Sequence, residues 1–466
     1  MLTAHRRIWH WMAGLLMGFA TISAYASGAG APAAQAQPDP SIPYYQWYEV
    51  TLPADSGADC GNGTPYRFYI NRAPSKNLLF TMEPGGACFD YGMCTNTETG
   101  PAQGLGAFNP DGIPQNYMSG TFNESLLATF LSPLMTRINL TTILVGEPRV
   151  ETQDWNQVFL PYCTGDIHMG SAIRTYTSPD GSTSRVQHFN GLKNAQVVTQ
   201  WLVDHGFGKP DRLMVYGLSA GGFGTLSNYA FIHDTLQPQV SSSALSDAGT
   251  LFNTRFDDDP IDHPSVYLYR KVAAEWDFAA PDGLFALASQ RLKGFDPSNL
   301  SSIYTALSQQ YPHDRFGLST YQQDKIIAAY HYRPFIPSVI AAPDDASKDA
   351  AALALFDQEL PGIQQVTAPL PNFGYYMPWA RSDFINNHMV TAVSFSGSNI
   401  NENGIDANVS DFVNDLLSQQ DPALVPVMKV RRTQRWSDFS FSTFLSLIDS
   451  IFNLTGDAGG ISGHKS

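Results

Sequence analysis

The stretch "RLMVYGLSAGGFGTL", residues 212–226, decides the fold. Arg212–Gly217 is an apolar run that reads as a buried strand. Small residues then crowd round Ser219: Gly217, Ala220, Gly221 and Gly222. From Gly221 to Leu236 the pattern is helical. A strand that enters a helix through so tight a turn is what an exposed nucleophile requires. The pentapeptide at 217–221 also fits G-x-S-x-G, a weak signal when bare and a stronger one in this context. A phosphate-cradling loop fits less well, because no Lys-Ser/Thr follows and the G-x-G-x-x-G order is missing. The plain alternative is a glycine-rich turn with a solvent serine.

Outward from this turn, strands are expected in "YRFYINR" (66–72), "NLLFTME" (77–83), "LTTILVGE" (140–147), "NQVFLPYC" (156–163) and "VSSSALSDAG" (240–249). Residues 192–206 space apolar side chains at three and four and stop at Gly206, which predicts a helix. Amphipathic helices are expected within 263–310, 321–332, 345–357 and 409–420, and "HMVTAVSFSG" (388–397) as a late strand or strand-to-loop segment. Alternating strands and helices imply a parallel sheet covered on both faces. The expected class is therefore α/β: an α/β-hydrolase-like, doubly wound, mostly parallel sheet with long loop insertions.

The first 36 residues read as an export signal: His5, Arg6 and Arg7, an apolar run, then Ala24-Tyr25-Ala26 and Ala34-Gln35-Ala36. An uncut N-terminal anchor is the alternative. Residues 37–56 are expected as a flexible lead-in and the start of the fold, 57–427 as the catalytic domain, and 428–466 as a tail with an amphipathic helix. A secreted or periplasmic protein follows, with no membrane span after cleavage and a monomeric state expected. The net charge of −15 argues against nucleic acid as a partner. The 43% of hydrophobic and 15% of charged residues suit a packed core. Four cysteines, Cys60, Cys88, Cys94 and Cys163, allow three pairings in an exported chain. A Cys88–Cys94 bridge is local, and Cys60–Cys163 would then close the long loop. A metal site fits poorly, since the spacing is not C-x-x-C and no histidine pair flanks it.

If Ser219 attacks, a base and an acid must follow it in chain order. His313 lies in a turn, and His331 reads as structural within an amphipathic helix. His388 precedes the late apolar segment, where the base of this fold is placed. Asp324 lies between Ser219 and His388, and Asp247 ends the strand after the nucleophile helix; either can be the acid, with Asp247 also a candidate pocket residue. "MEPGGACF" (82–89) ends a strand in two glycines, so Gly85 and Gly86, with Ala220, are candidate oxyanion donors.

Five segments together resemble the pectin acetylesterase / Notum family: "CGNGTPYRFYI" (60–70), "NLLFTMEPGGACFDYGMC" (77–94), "NQVFLPYCTGDIHMGS" (156–171), "VYGLSAGGFGT" (215–225) and "LSDAGTLF" (245–252). The resemblance spans roughly residues 57–252. It implies a carboxylic ester hydrolase with a Ser-Asp-His triad and no cofactor, acting on an acylated substrate, a polysaccharide among the candidates. It implies Ser219 as nucleophile, Gly85, Gly86 and Ala220 at the oxyanion, and Cys88–Cys94 with Cys60–Cys163 as the disulfides. Asp324 and His388 carry over by order. Ala87 stands where the family has an aromatic, and Pro84 where a glycine is common. His168 and Met169 are expected to face the pocket. Short acyl chains are the first expectation; a lipid deacylase with a longer acyl pocket, or an inactive glycan-binding homologue, are the alternatives.

Overall fold

The computed structural model describes residues 38–115, 117–118, 132–137, 149–381, 387–402 and 404–432. The expected export signal, the expected strand at 140–147 and the tail beyond 432 lie outside these residues.

Thirteen strands are described: β1 (Trp47–Thr51), β2 (Arg67–Asn71), β3 (Leu78–Met82), β4 (Asn156–Leu160), β5 (Ala172–Thr177), β6 (Ser184–Phe189), β7 (Arg212–Leu218), β8 (Ser241–Asp247), β9 (Arg315–Ser319), β10 (Phe373–Met377), β11 (Ile400–Glu402), β12 (Ile405–Ala407) and β13 (Lys429–Arg431). Nine of them form the central sheet in the order β1-β2-β4-β3-β7-β8-β9-β10-β13. β1 and β2 run antiparallel at one edge, and every pair from β4 to β13 is parallel. This is the expected mostly parallel sheet.

Side-chain alternation divides the core. In β7, Leu213 and Val215 join the apolar cluster on one face, with Phe223, Leu226 and Ile232 of the helix Ala220–Leu236. Met214, Tyr216 and Leu218 point to the opposite face and pack with Phe412, Val413 and Leu416 of the helix Val409–Leu417. All seven β7 residues are buried, which is why its sequence reads as one apolar run rather than an alternating one.

Three expectations are corrected. Residues 388–397 form no strand, because the backbone N–H groups of Val390 and Thr391 donate to the Asp247 carboxylate instead of to a neighbouring strand. The sheet runs past residue 427, since β13 pairs with β10. The lead-in is tied down from residue 39 onward: Arg72 Nη1 donates to the carbonyls of Asp39 and Ile42, and Ile42 is buried.

Two disulfides close as expected, Cys60–Cys163 and Cys88–Cys94, with Cα atoms 5.1 and 5.0 Å apart. The first spans 103 residues and ties the segment before β2 to the loop after β4. Replacing both Cys60 and Cys163 by serine should lower the unfolding free energy by about 4–5 kcal/mol in the chain-entropy account. Guanidinium titration checks this, and a loss under about 1 kcal/mol would show that the reduced chain retains that closure.

Candidate active site

β7 delivers Ser219 at its carboxyl end, where ligands bind in open α/β sheets. Ser219 has φ 51° and ψ −117°, outside the regions open to most L-residues. The turn closes because its neighbours lack side chains. A Cβ on Gly217 would lie 2.0 Å from the Gly221 carbonyl oxygen, and one on Gly221 would lie 2.1 Å from that of Met82. The Ser219 N–H donates to the Asp247 carbonyl at 2.7 Å, which fixes the strained residue to the end of β8.

Asp324 follows β9 and caps the helix Lys325–Tyr332, its Oδ1 accepting from the N–H groups of Ile326 and Ile327 at 3.0 Å each. The same carboxylate meets His388: Nδ1 lies 2.9 Å from Oδ2 and 3.0 Å from Oδ1. Asp324 is fully buried, and burial raises its pKa while the His388 ring and the two N–H donors pull it back. A carboxylate on Nδ1 holds the proton there and leaves Nε2 free as a base. Among the described residues no hydrogen bond joins His388 to Ser219, and such contacts often tighten only with substrate bound.

Asp247, the other candidate acid, is not on His388. Its carboxylate accepts from Val390 N at 2.9 Å, from Thr391 N at 2.8 Å and from the Thr391 hydroxyl. It is wholly buried, and burial raises its pKa. The expectation of Asp247 as a pocket residue is corrected: it is an internal anchor for the segment that carries His388.

The loop after β3 is held by its carbonyls. Phe108 N–H donates to Gly85 O at 2.8 Å, and the Tyr162 hydroxyl to Gly86 O at 2.9 Å. Among the described residues no protein acceptor takes the N–H of Gly85, Gly86 or Ala220. Gly86 has φ 71°, and a Cβ there would strike the Tyr330 hydroxyl and the Gly106 carbonyl, so the position needs glycine. Ser219, Gly86 and Ala220 share the wall of one narrow cavity, about 50 Å³, with apolar side chains that include Phe223, Leu268, Trp276, Phe278 and Ile327.

Ala87 and Met169 line this cavity. His168 does not, and that expectation is corrected. Its ring is turned into the core, with Nε2 3.0 Å from the Glu83 carbonyl and the side chain packed beneath Gly224. Burial lowers its pKa to about 4. Two contributors went unread in the sequence. Glu83 is buried directly before the glycine loop and accepts from Tyr162 N at 2.6 Å and the Tyr117 hydroxyl at 2.7 Å. His331, read as structural, lines the cavity.

The comparisons with known proteins agree with this frame. A family model described as Pectinacetylesterase matches residues 136–273. The palmitoleoyl-protein carboxylesterase notum1 of Xenopus laevis is 30% identical over 203 residues, 42% of this chain and 35% of that protein. The human palmitoleoyl-protein carboxylesterase NOTUM is 23% identical over 208 residues, 43% of this chain and 36% of its own length. The chain thus spans about a third of the length of these curated relatives. Among solved structures, that of the Wnt deacylase Notum from Drosophila matches with a TM-score of 0.51 at 16% identity, covering 84% of this chain and 97% of that one. At that identity the likeness shows the fold, an α/β-hydrolase fold. The resemblance to the pectin acetylesterase / Notum family read from the sequence is borne out.

Glu83 generates a pH prediction. Burial pushes its pKa up to about 8 from an ordinary 4.5, against the Tyr162 and Tyr117 hydrogen bonds. A raised folded pKa contributes stability that is complete below about 4.5 and lost as pH rises through about 8. His168 works in the opposite sense: its contribution is complete above about 6.5 and lost as pH falls through about 4. The melting temperature of the wild type should therefore fall between pH 5 and 8 relative to Glu83→Gln, by about the slope of one proton. Parallel melting curves over that range would mean that Glu83 is not the titrating group.

Proposed function

We propose that this protein is an exported serine carboxylic ester hydrolase that acts on substrates with a hydrocarbon acyl chain. The observation that carries the reading is the shared cavity wall: Ser219, the bare N–H groups of Gly86 and Ala220, and a lining that is otherwise nearly all apolar. Gly85 is the further oxyanion donor. An acetyl group needs little of that lining, and a longer chain can cover it. The apolar lining suits a chain longer than acetyl, in keeping with the printed activity of the curated relatives, which are palmitoleoyl-protein carboxylesterases, and at about 50 Å³ the cavity must widen to take a chain of that length.

In this mechanism Ser219 Oγ attacks the acyl carbonyl as His388 Nε2 takes its proton. Asp324 holds the imidazole with Nδ1 protonated and stabilises its charged form. The N–H groups of Gly85, Gly86 and Ala220 meet the oxyanion of the tetrahedral intermediate. His388 then gives the proton to the departing alcohol, and water repeats the sequence on the acyl-enzyme. Two disulfides suit an oxidising compartment, and among the described residues no helix is long and apolar enough to cross a membrane.

The test is hydrolysis of p-nitrophenyl esters from acetate to palmitate by wild type, Ser219→Ala and Asp324→Asn. The wild type should favour a chain longer than acetate. Ser219→Ala should lose turnover while keeping its circular dichroism and melting temperature. Asp324→Asn should lower kcat by about 10⁴-fold, as for other triads in which the acid is replaced by its amide. Turnover retained in Ser219→Ala sinks the nucleophile assignment, and an acetate optimum sinks the long-chain reading.

A further inference from the structure

The helix Lys325–Tyr332 brings His331 to the wall of the cavity. The residue is 1% exposed. Its Nδ1 lies 2.9 Å from the carbonyl oxygen of Ile327, which can only accept, so Nδ1 carries the proton and Nε2 is an acceptor. Among the described residues nothing donates to that Nε2. Aromatic rings surround it: Phe252 at 5.0 Å, Tyr332 at 5.7 Å and Tyr269 at 5.9 Å between centroids. Neither tyrosine hydroxyl is hydrogen-bonded to it. That of Tyr269 accepts from Phe252 N, and that of Tyr332 donates to Glu359. Burial lowers the ring's pKa to about 4, so it stays neutral and its lone pair stays available near neutral pH.

A buried acceptor without a donor is costly and rare, and calls for a partner that arrives from outside the protein. Among the described residues, the space that His331 borders and a ligand can fill is this cavity. We infer that the cavity takes an acyl chain carrying a hydroxyl group, which donates its hydrogen bond to His331 Nε2. The inference rests on the reading of this cavity as the acyl site. A plain chain of the same length leaves Nε2 unpaired or capped by a trapped water. A site that hydrogen-bonds a substrate hydroxyl discriminates against the analogue lacking it far more than an apolar wall discriminates one methylene.

The experiment compares p-nitrophenyl octanoate with its hydroxyoctanoate isomers, the hydroxyl walked from the β carbon to the chain end. At least one isomer should exceed octanoate in kcat/KM by about tenfold for the wild type. His331→Leu and His331→Phe, which remove the acceptor and keep an apolar filling, should bring that ratio to about one. Calorimetry with free octanoate and the hydroxyoctanoates on Ser219→Ala reads the same preference without turnover. The inference is overturned if no isomer outperforms octanoate in either assay, the outcome expected when a water alone caps Nε2. It is also overturned if both His331 variants keep the preference. Failure of the esterase reading looks different: hydrolysis independent of Ser219, with the binding preference intact in calorimetry.

Discussion

The site depends on Asp247. Its backbone carbonyl receives the N–H of Ser219, and its carboxylate receives two N–H groups and a hydroxyl from Val390 and Thr391. One residue at the end of β8 thus ties the strained elbow to the segment that bears His388, which is otherwise irregular. A buried carboxylate is expensive to hold, and three donors offset that cost. Around this anchor the other parts are placed by the ends of parallel strands: the glycine loop by β3, Ser219 by β7 and Asp324 by β9. The sheet brings together groups more than a hundred residues apart, because neighbouring strands such as β3 and β7, or β8 and β9, are joined by long connections.

Much of this frame was legible in the sequence. β3 and β7 are apolar runs that end in turn residues, as strands buried on both faces are, while β2, β4 and β8 mix in polar residues and were legible from their bounds and alternation. Ser219 was legible because three glycines and an alanine had to surround it. The late strands were not. β10 reads "FGYYM" and β13 only "KVR", too short and too polar to stand out. Their place in the sheet comes from pairing with β9 and with each other. The segment at 388–397 misled for the opposite reason. Its apolar residues pack in the core while its N–H groups find a carboxylate far away in sequence.

The same limit applies to the site. Order along the chain could not separate Asp324 from Asp247, since both lie at carboxyl ends of strands. Their partners separate them: a ring nitrogen for one, backbone N–H groups for the other. His168 and His331 exchanged places between expectation and structure. A histidine in a loop looks available and a histidine in an amphipathic helix looks structural, but which way each ring turns is set by packing against Gly224 in one case and Ile327 in the other. Periodicity says which face a residue occupies and nothing of whether that face meets a cavity.

The double engagement of Asp324 bears on how such a protein can change. The carboxylate that orients His388 also caps the helix that carries Ile327, Tyr330 and His331 along the cavity. On the reading above, rate and acyl selectivity then share a single mechanical joint. Substitutions that widen the cavity by shifting this helix would drag the carboxylate off the imidazole, so laboratory selection for bulkier acyl groups should meet a trade-off on this wall. The lining that Phe223 and Met169 contribute belongs to other segments and offers room to vary without that penalty.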